Sequence, residues 1–167
     1  YTLCPNKTYS ITDESKETIF PIMNNTQVVC GHSPLDTSCV VEFGQLQVEV
    51  GPQRSLKDVR AFQNFDLNHV EFHRIQFRDS LYNEDYLITP SIWNHGRDNN
   101  VIFENCTWTG KLGSHLLVNG GASSNASDVD FVNCQIQNLS MTQRETTLFL
   151  SRAGKISILK TAIKDSY

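Results

Sequence analysis

Positive charge is scarce in this 167-residue chain, where 14 Lys and Arg stand against 18 Asp and Glu for a formal net charge of −4. With no basic stripe, nucleic acid is not an expected partner. Long apolar runs are missing, and so is any basic amphipathic segment, so no membrane span or surface-lying helix is expected. No CxxC pair with neighbouring His ligands occurs, and none of the sequence points to a metal or another cofactor. A glycine-rich phosphate loop and a nucleophile elbow are absent too. These absences remove several enzyme classes and leave architecture as the main content of the sequence.

What is present is one phrase written four times. It reads VEFHRIQFRDS from Val70, VIFENCTWTGK from Val101, VDFVNCQIQNL from Val129 and ISILKTAIKDS from Ile156, at offsets of 31, 28 and 27 residues. Four columns align: Val70, Val101, Val129 and Ile156; Phe72, Phe103, Phe131 and Ile158; Ile75, Cys106, Cys134 and Thr161; Phe77, Trp108, Ile136 and Ile163. A repeat of this length signals a stack of similar supersecondary units. None of the copies has apolar residues at i, i+3, i+4 and i+7, so the unit is not helical.

Within each copy the apolar positions are i, i+2, i+5 and i+7. Each pair has the period of a strand with one buried face. The one residue too many between the pairs is Arg74, Asn105, Asn133 or Lys160. In a straight strand that insertion would turn the second half inside out. A corner at the extra residue keeps both halves facing one core, and Asn tolerates the left-handed conformation such corners need. Short apolar runs at Leu87–Thr89, Leu116–Val118 and Thr147–Leu150 supply a third strand per turn, with polar loops at Arg78–Tyr86, Asn119–Asp128 and Ser140–Glu145.

The sequence therefore predicts an all-β fold, a parallel β-helix of about five to six coils, with a jelly roll or sandwich as the structural alternative. One domain spans residues 1–167, with irregular N-terminal coils and cap over 1–60 and regular coils over 61–167. Candidate strands in the first part are Thr2–Cys4, Thr18–Ile22, Gln27–Cys30, Val40–Phe43, Leu46–Val50 and Val59–Phe62, with Asn6–Glu17 and His32–Ser38 as interruptions. The chain stops at Tyr167 straight after a copy of the phrase, as expected of a piece of a longer protein or of a coil that docks on another chain. It begins at Tyr1 rather than Met, the expectation for a processed secretory product or an excised piece.

Five Asn-x-Ser/Thr sequons occur, at Asn6, Asn24, Asn105, Asn125 and Asn138. Chance would place roughly two in a chain of this composition. The excess, together with the cysteines, predicts a secreted glycoprotein carrying N-linked glycans. Cys30 and Cys39 bracket the step CGHSPLDTSC and are the expected disulfide. It closes a surface loop and would stabilise by about 2–3 kcal/mol. Cys4 could compete for either partner, because Leu3-Cys4 and Val29-Cys30 are placed to stack in adjacent coils. Cys106 and Cys134 share an inward column and read as small buried hydrophobes.

The phrase ΦxΦxNCxΦ with its outward loop resembles the right-handed parallel β-helix proteins of the pectin-lyase-like superfamily. The opening Thr2-Leu3-Cys4-Pro5-Asn6, followed by Phe20-Pro21-Ile22, Asn24-Asn25-Thr26, Cys30-Gly31 and Cys39, resembles the first coils of secreted microalgal β-helix proteins. The resemblance implies a right-handed winding and is nearly silent on function, since that fold hosts lyases, hydrolases, epimerases, adhesins and fibres. Enzymes of the superfamily typically gather acids on the outward positions of one sheet. Here the outward columns read Glu71, Ile102, Asp130, Ser157 and His73, Glu104, Val132, Leu159. Glu71, His73 and Glu104 are the best acid/base candidate or polar surface site for a glycan, against the plainer reading of a solvated cross-strand His–Glu contact. His69 and His73 are weak as a metal pair. The polygalacturonase-like and pectate-lyase-like signatures are absent, and Asn94-His95-Gly96 with Asp98 is a faint echo that reads better as a polar loop. Trp93 and Tyr82 are open as sugar-stacking residues, whereas Trp108 belongs to the core.

Two functions follow as expectations. The first is an extracellular, glycosylated structural or interaction protein of a fibre, surface coat or appendage, joining other chains or copies of itself through coil ends or lateral faces. The second is a carbohydrate-binding or carbohydrate-active protein whose partner is a polysaccharide. No catalytic residue is identified.

Overall fold

A computed structural model describes residues 1–11, 19–20, 26–37, 39–43, 46–48, 68–79, 92–94, 99–112, 115–119, 128–141, 147–152 and 154–164. The described residues form strands and turns with no helix, and every strand pairing is parallel. The first sheet runs β1 (Thr2–Leu3), β4 (Thr26–Cys30), β7 (Asn68–His73), β10 (Asn99–Glu104), β13 (Asp128–Val132) and β16 (Ile156–Leu159). The second runs β2 (Thr8–Ile11), β5 (Cys39–Phe43), β8 (Ile75–Asp79), β11 (Thr107–Leu112), β14 (Gln135–Met141) and β17 (Ala162–Lys164). The third runs β3 (Ile19–Phe20), β6 (Leu46–Val48), β9 (Ile92–Asn94), β12 (His115–Asn119) and β15 (Thr147–Ser151). Each strand lies beside the strand three places on, consistent with a parallel β-solenoid.

The register follows the columns of the repeat. Val70, Val101, Val129 and Ile156 are Cα partners in succession, as are Phe72, Phe103, Phe131 and Ile158. Between the two strand halves, Arg74, Asn105, Asn133 and Lys160 adopt φ of 57°, 54°, 52° and 50°. These are the corners required by the one inserted residue. Three of the four corner N–H groups reach the next layer: Arg74 donates to the Glu104 carbonyl, Asn105 to Val132 and Asn133 to Leu159, at 2.9–3.0 Å. Left-handed backbone costs a non-glycine residue roughly 1–2 kcal/mol, and these ladder bonds offset it.

The interior is a pile of aromatic rings. Phe103 stacks on Phe72 at 5.0 Å and on Phe131 at 5.2 Å, while Phe77 stacks on Trp108 at 5.1 Å. The two piles meet edge to face, as between Phe103 and Trp108 at 79°. Cys106 and Cys134 are buried as expected, and their thiols also donate to main-chain oxygens of the preceding layer, Phe72 at 3.4 Å and Phe103 at 3.3 Å. Thr161 repeats the contact with Phe131 at 3.2 Å. The column is therefore a ladder of small donors that satisfies carbonyls beside the corners.

Several expectations need correction. The segment Asn6–Glu17 contains a strand, β2, which pairs with β5 and sets Tyr9 on Val41. The third strand below Leu117 is Ile92–Asn94 rather than Leu87–Thr89, which lies outside the described residues. Its register is marked by a buried amide ladder in which the Asn94 side chain donates to Asn119 Oδ1 at 2.9 Å. Asn94 is accordingly interior, not part of a polar loop. The second sheet carries β14 to Met141, past the expected loop start at Ser140, because of a bulge: Trp108 faces Ile136 but Gly110 faces Leu139, with Asn138 at φ 53°. Val59–Phe62 lies outside the described residues.

Candidate functional site

Strand alternation places His69, Glu71 and His73 on the outer face of β7 while Val70 and Phe72 enter the core. Parallel pairing then sets Gln27 beside Glu71 from one side and Glu104 beside His73 from the other. Glu71 accepts from three donors: His69 Nε2 at 2.5 Å on one oxygen, and His73 Nε2 at 2.9 Å and Gln27 Nε2 at 2.6 Å on the other. His73 Nδ1 lies 2.9 Å from Glu104 Oε2. A neutral imidazole carries one N–H and satisfies one of these carboxylates; with both nitrogens protonated it satisfies both. The Gln27 amide also approaches His73 Nε2 at 3.2 Å. That contact is not a hydrogen bond while the same nitrogen donates to Glu71.

Hydrogen bonds from His69 first, and then His73, hold the Glu71 carboxyl down at about 2, with Gln27 adding to them and burial opposing. Such a carboxylate stays ionised and is a weak base. General base catalysis favours a group that titrates near working pH. The cluster thus joins the three residues expected together, adds Gln27 and His69, and behaves as a polar clasp across β4, β7 and β10. Both histidines serve Glu71, and among the described residues no three His, Cys, Asp or Glu side chains stand in a metal-holding arrangement.

The expected disulfide is present, linking Cys30 and Cys39 with Cα atoms 5.5 Å apart. It closes the widest corner. Inside the loop Ser33 N–H donates to Asp36 Oδ2 at 2.9 Å, and Gly31 sits at φ 61° where a Cβ would collide with the Asp36 carboxylate. From the next layer Arg74 donates to the carbonyls of Cys30 at 2.9 Å and Asp36 at 3.2 Å. A corner residue expected only to bend the chain therefore also braces the loop.

Of the sequon residues, Asn6, Asn105 and Asn138 are exposed, and all three have positive φ, at 59°, 54° and 53°. Asn24 and Asn125 lie outside the described residues, as do Tyr82 and the side chain of Trp93. Trp108 is buried in the core, as expected. Among the described residues no helix is long and apolar enough to cross a membrane. No family model, curated protein or solved structure matches the chain.

Proposed function

We propose that this chain is an extracellular, glycosylated structural or interaction protein that helps build a fibre, surface coat or appendage. In this reading it is a right-handed parallel β-helix of about five to six coils, of the pectin-lyase-like kind. One observation carries it. The columns that are sealed at Phe131 and Ile136 run out to Ile158 and Ile163, which are 43% and 44% exposed, with Leu159 at 55% beside them. β16 and β17 are the outermost strands of their sheets among the described residues. An outer strand with unpaired backbone groups is a template for another strand, and here it also offers an apolar floor. The occupant fitting both features is a further β-layer, which in this reading a second copy supplies.

The disulfide and the exposed sequon asparagines support a secretory setting, where such bonds persist. A carbohydrate-active role draws less support, because the acid/base candidate Glu71 is saturated by its own neighbours. Light scattering over a wide concentration range tests the proposal. The mass should rise in the wild-type chain and stay monomeric in an Ile158→Lys/Ile163→Lys variant of unchanged circular dichroism. A wild-type chain that remains monomeric throughout overturns it.

A further inference from the structure

We propose that Cys4, Cys30 and Cys39 form a thiol–disulfide exchange site in which Cys4 displaces Cys30 from Cys39. Three observations place the groups. β1 lies on β4 with Leu3 opposite Cys30, so the main chain of Cys4 comes one residue past the Cys30 level. The Cys39 sulfur packs 3.4 Å from the carbonyl oxygen of Cys4 and 3.7 Å from that of Leu3. A disulfide sulfur has no hydrogen to donate, so these are packing contacts, and they seat the buried Cys39 sulfur against the main chain of Cys4. The Cys30 sulfur instead receives the Cys39 N–H at 3.1 Å.

Accessibility separates Cys4 from the other free thiols. Cys4 is exposed, whereas Cys106 and Cys134 are buried. Burial pushes the Cys134 thiol up to about 11 and Cys106 further in the same direction. Those two are inert, because the thiolate is the reactive form.

The exchange is balanced without an oxidant. Cys4, having lost its proton, attacks Cys39 Sγ; the Cys4–Cys39 bond forms as the Cys30–Cys39 bond breaks, and its electron pair leaves on Cys30, which takes up a proton. Before exchange the crosslink closes the loop between β4 and β5. Afterwards it ties the residue following β1 to β5, so the two-residue first strand is held covalently and the loop is freed at Cys30.

Peptide mapping tests the site. The wild-type chain is held in mildly alkaline buffer with a catalytic amount of reduced glutathione, quenched in acid and digested without reduction. Peptides joined through Cys4–Cys39 should appear beside Cys30–Cys39, with free Cys30 rising as free Cys4 falls, and Cys4→Ser should abolish them. A Cys30→Ser variant in oxidised glutathione should close Cys4–Cys39 with its circular dichroism unchanged. A wild-type map holding only Cys30–Cys39 with Cys4 free overturns the proposal, and it decides alone if Cys30→Ser does not fold. A folded Cys30→Ser chain whose Cys4 and Cys39 stay unjoined overturns it equally.

Discussion

Removing one ring from the interior measures how the columns share the load. Phe103 is fully buried between Phe72 and Phe131 and meets Phe77 and Trp108 edge to face at 5.9 and 5.1 Å. Truncating a buried Phe to Ala costs about 3–5 kcal/mol, and aromatic pairs add roughly 0.5–1.5 kcal/mol each beyond area. With four ring partners, Phe103→Ala should lie at the top of that range, about 5 kcal/mol. Ile158 occupies the same column two layers on but is 43% exposed. Scaling an Ile→Ala cost of about 2–5 kcal/mol by partial burial, and with little cavity left behind, Ile158→Ala should cost about 1–2 kcal/mol. Urea titration followed by circular dichroism gives both values, provided the slope with denaturant is unchanged. Equal losses at the two sites, or a loss below about 2 kcal/mol at Phe103, would refute the gradient from interior to end and the column geometry behind it.

Three further outcomes follow. Trp108 is buried, and its indole N–H has no partner among the described residues; an unmet donor costs about 1–3 kcal/mol, so Trp108→Phe should change stability by less than about 1 kcal/mol in urea, and a loss above about 3 kcal/mol would mean the N–H is satisfied. Because the Glu71 pKa is lowered from 4.5 to about 2 in the folded chain, its contribution is fully present above pH 4.5 and drains away as pH falls toward 2; Glu71→Gln should flatten that part of the stability–pH curve, and an unchanged slope would refute the assignment. At Gly31, where φ is 61° and a Cβ meets Asp36, an Ala should lower stability by about 1–3 kcal/mol in thermal melts, and a neutral result would mean the loop relaxes freely.

The regular part of the stack was legible because two facts coincide in each copy: inward residues are apolar, and one surplus residue forces a corner. Where either fails, the sequence misleads. In β2 the half-buried Tyr9 stands between exposed Thr8 and Ser10, so the start of the strand reads as a polar excursion. The sequence points to Leu87–Thr89 as a third strand because that run is more apolar than Ile92-Trp93-Asn94, yet a buried amide matched by Asn119 marks the register. The site was half legible. Glu71, His73 and Glu104 share aligned repeats, but Gln27 joins them across the offset between β4 and β7, where the repeat gives no alignment. Alternation sets His69 two places before Glu71 on the same face, yet the sequence offers it only as a weak metal pair with His73.

Among the described residues every strand bonds to neighbours 25 to 46 residues away, never to a hairpin partner, so no short fragment can close its hydrogen bonds alone. Order has to spread outward from wherever two turns first meet, as in other quasi-one-dimensional folds. The rings of Phe72, Phe103, Phe131 and Trp108 make the middle the natural seed. In hydrogen–deuterium exchange the amides of Val101 and Val129 should be the last to open, while Thr2 and Ile163 fray first.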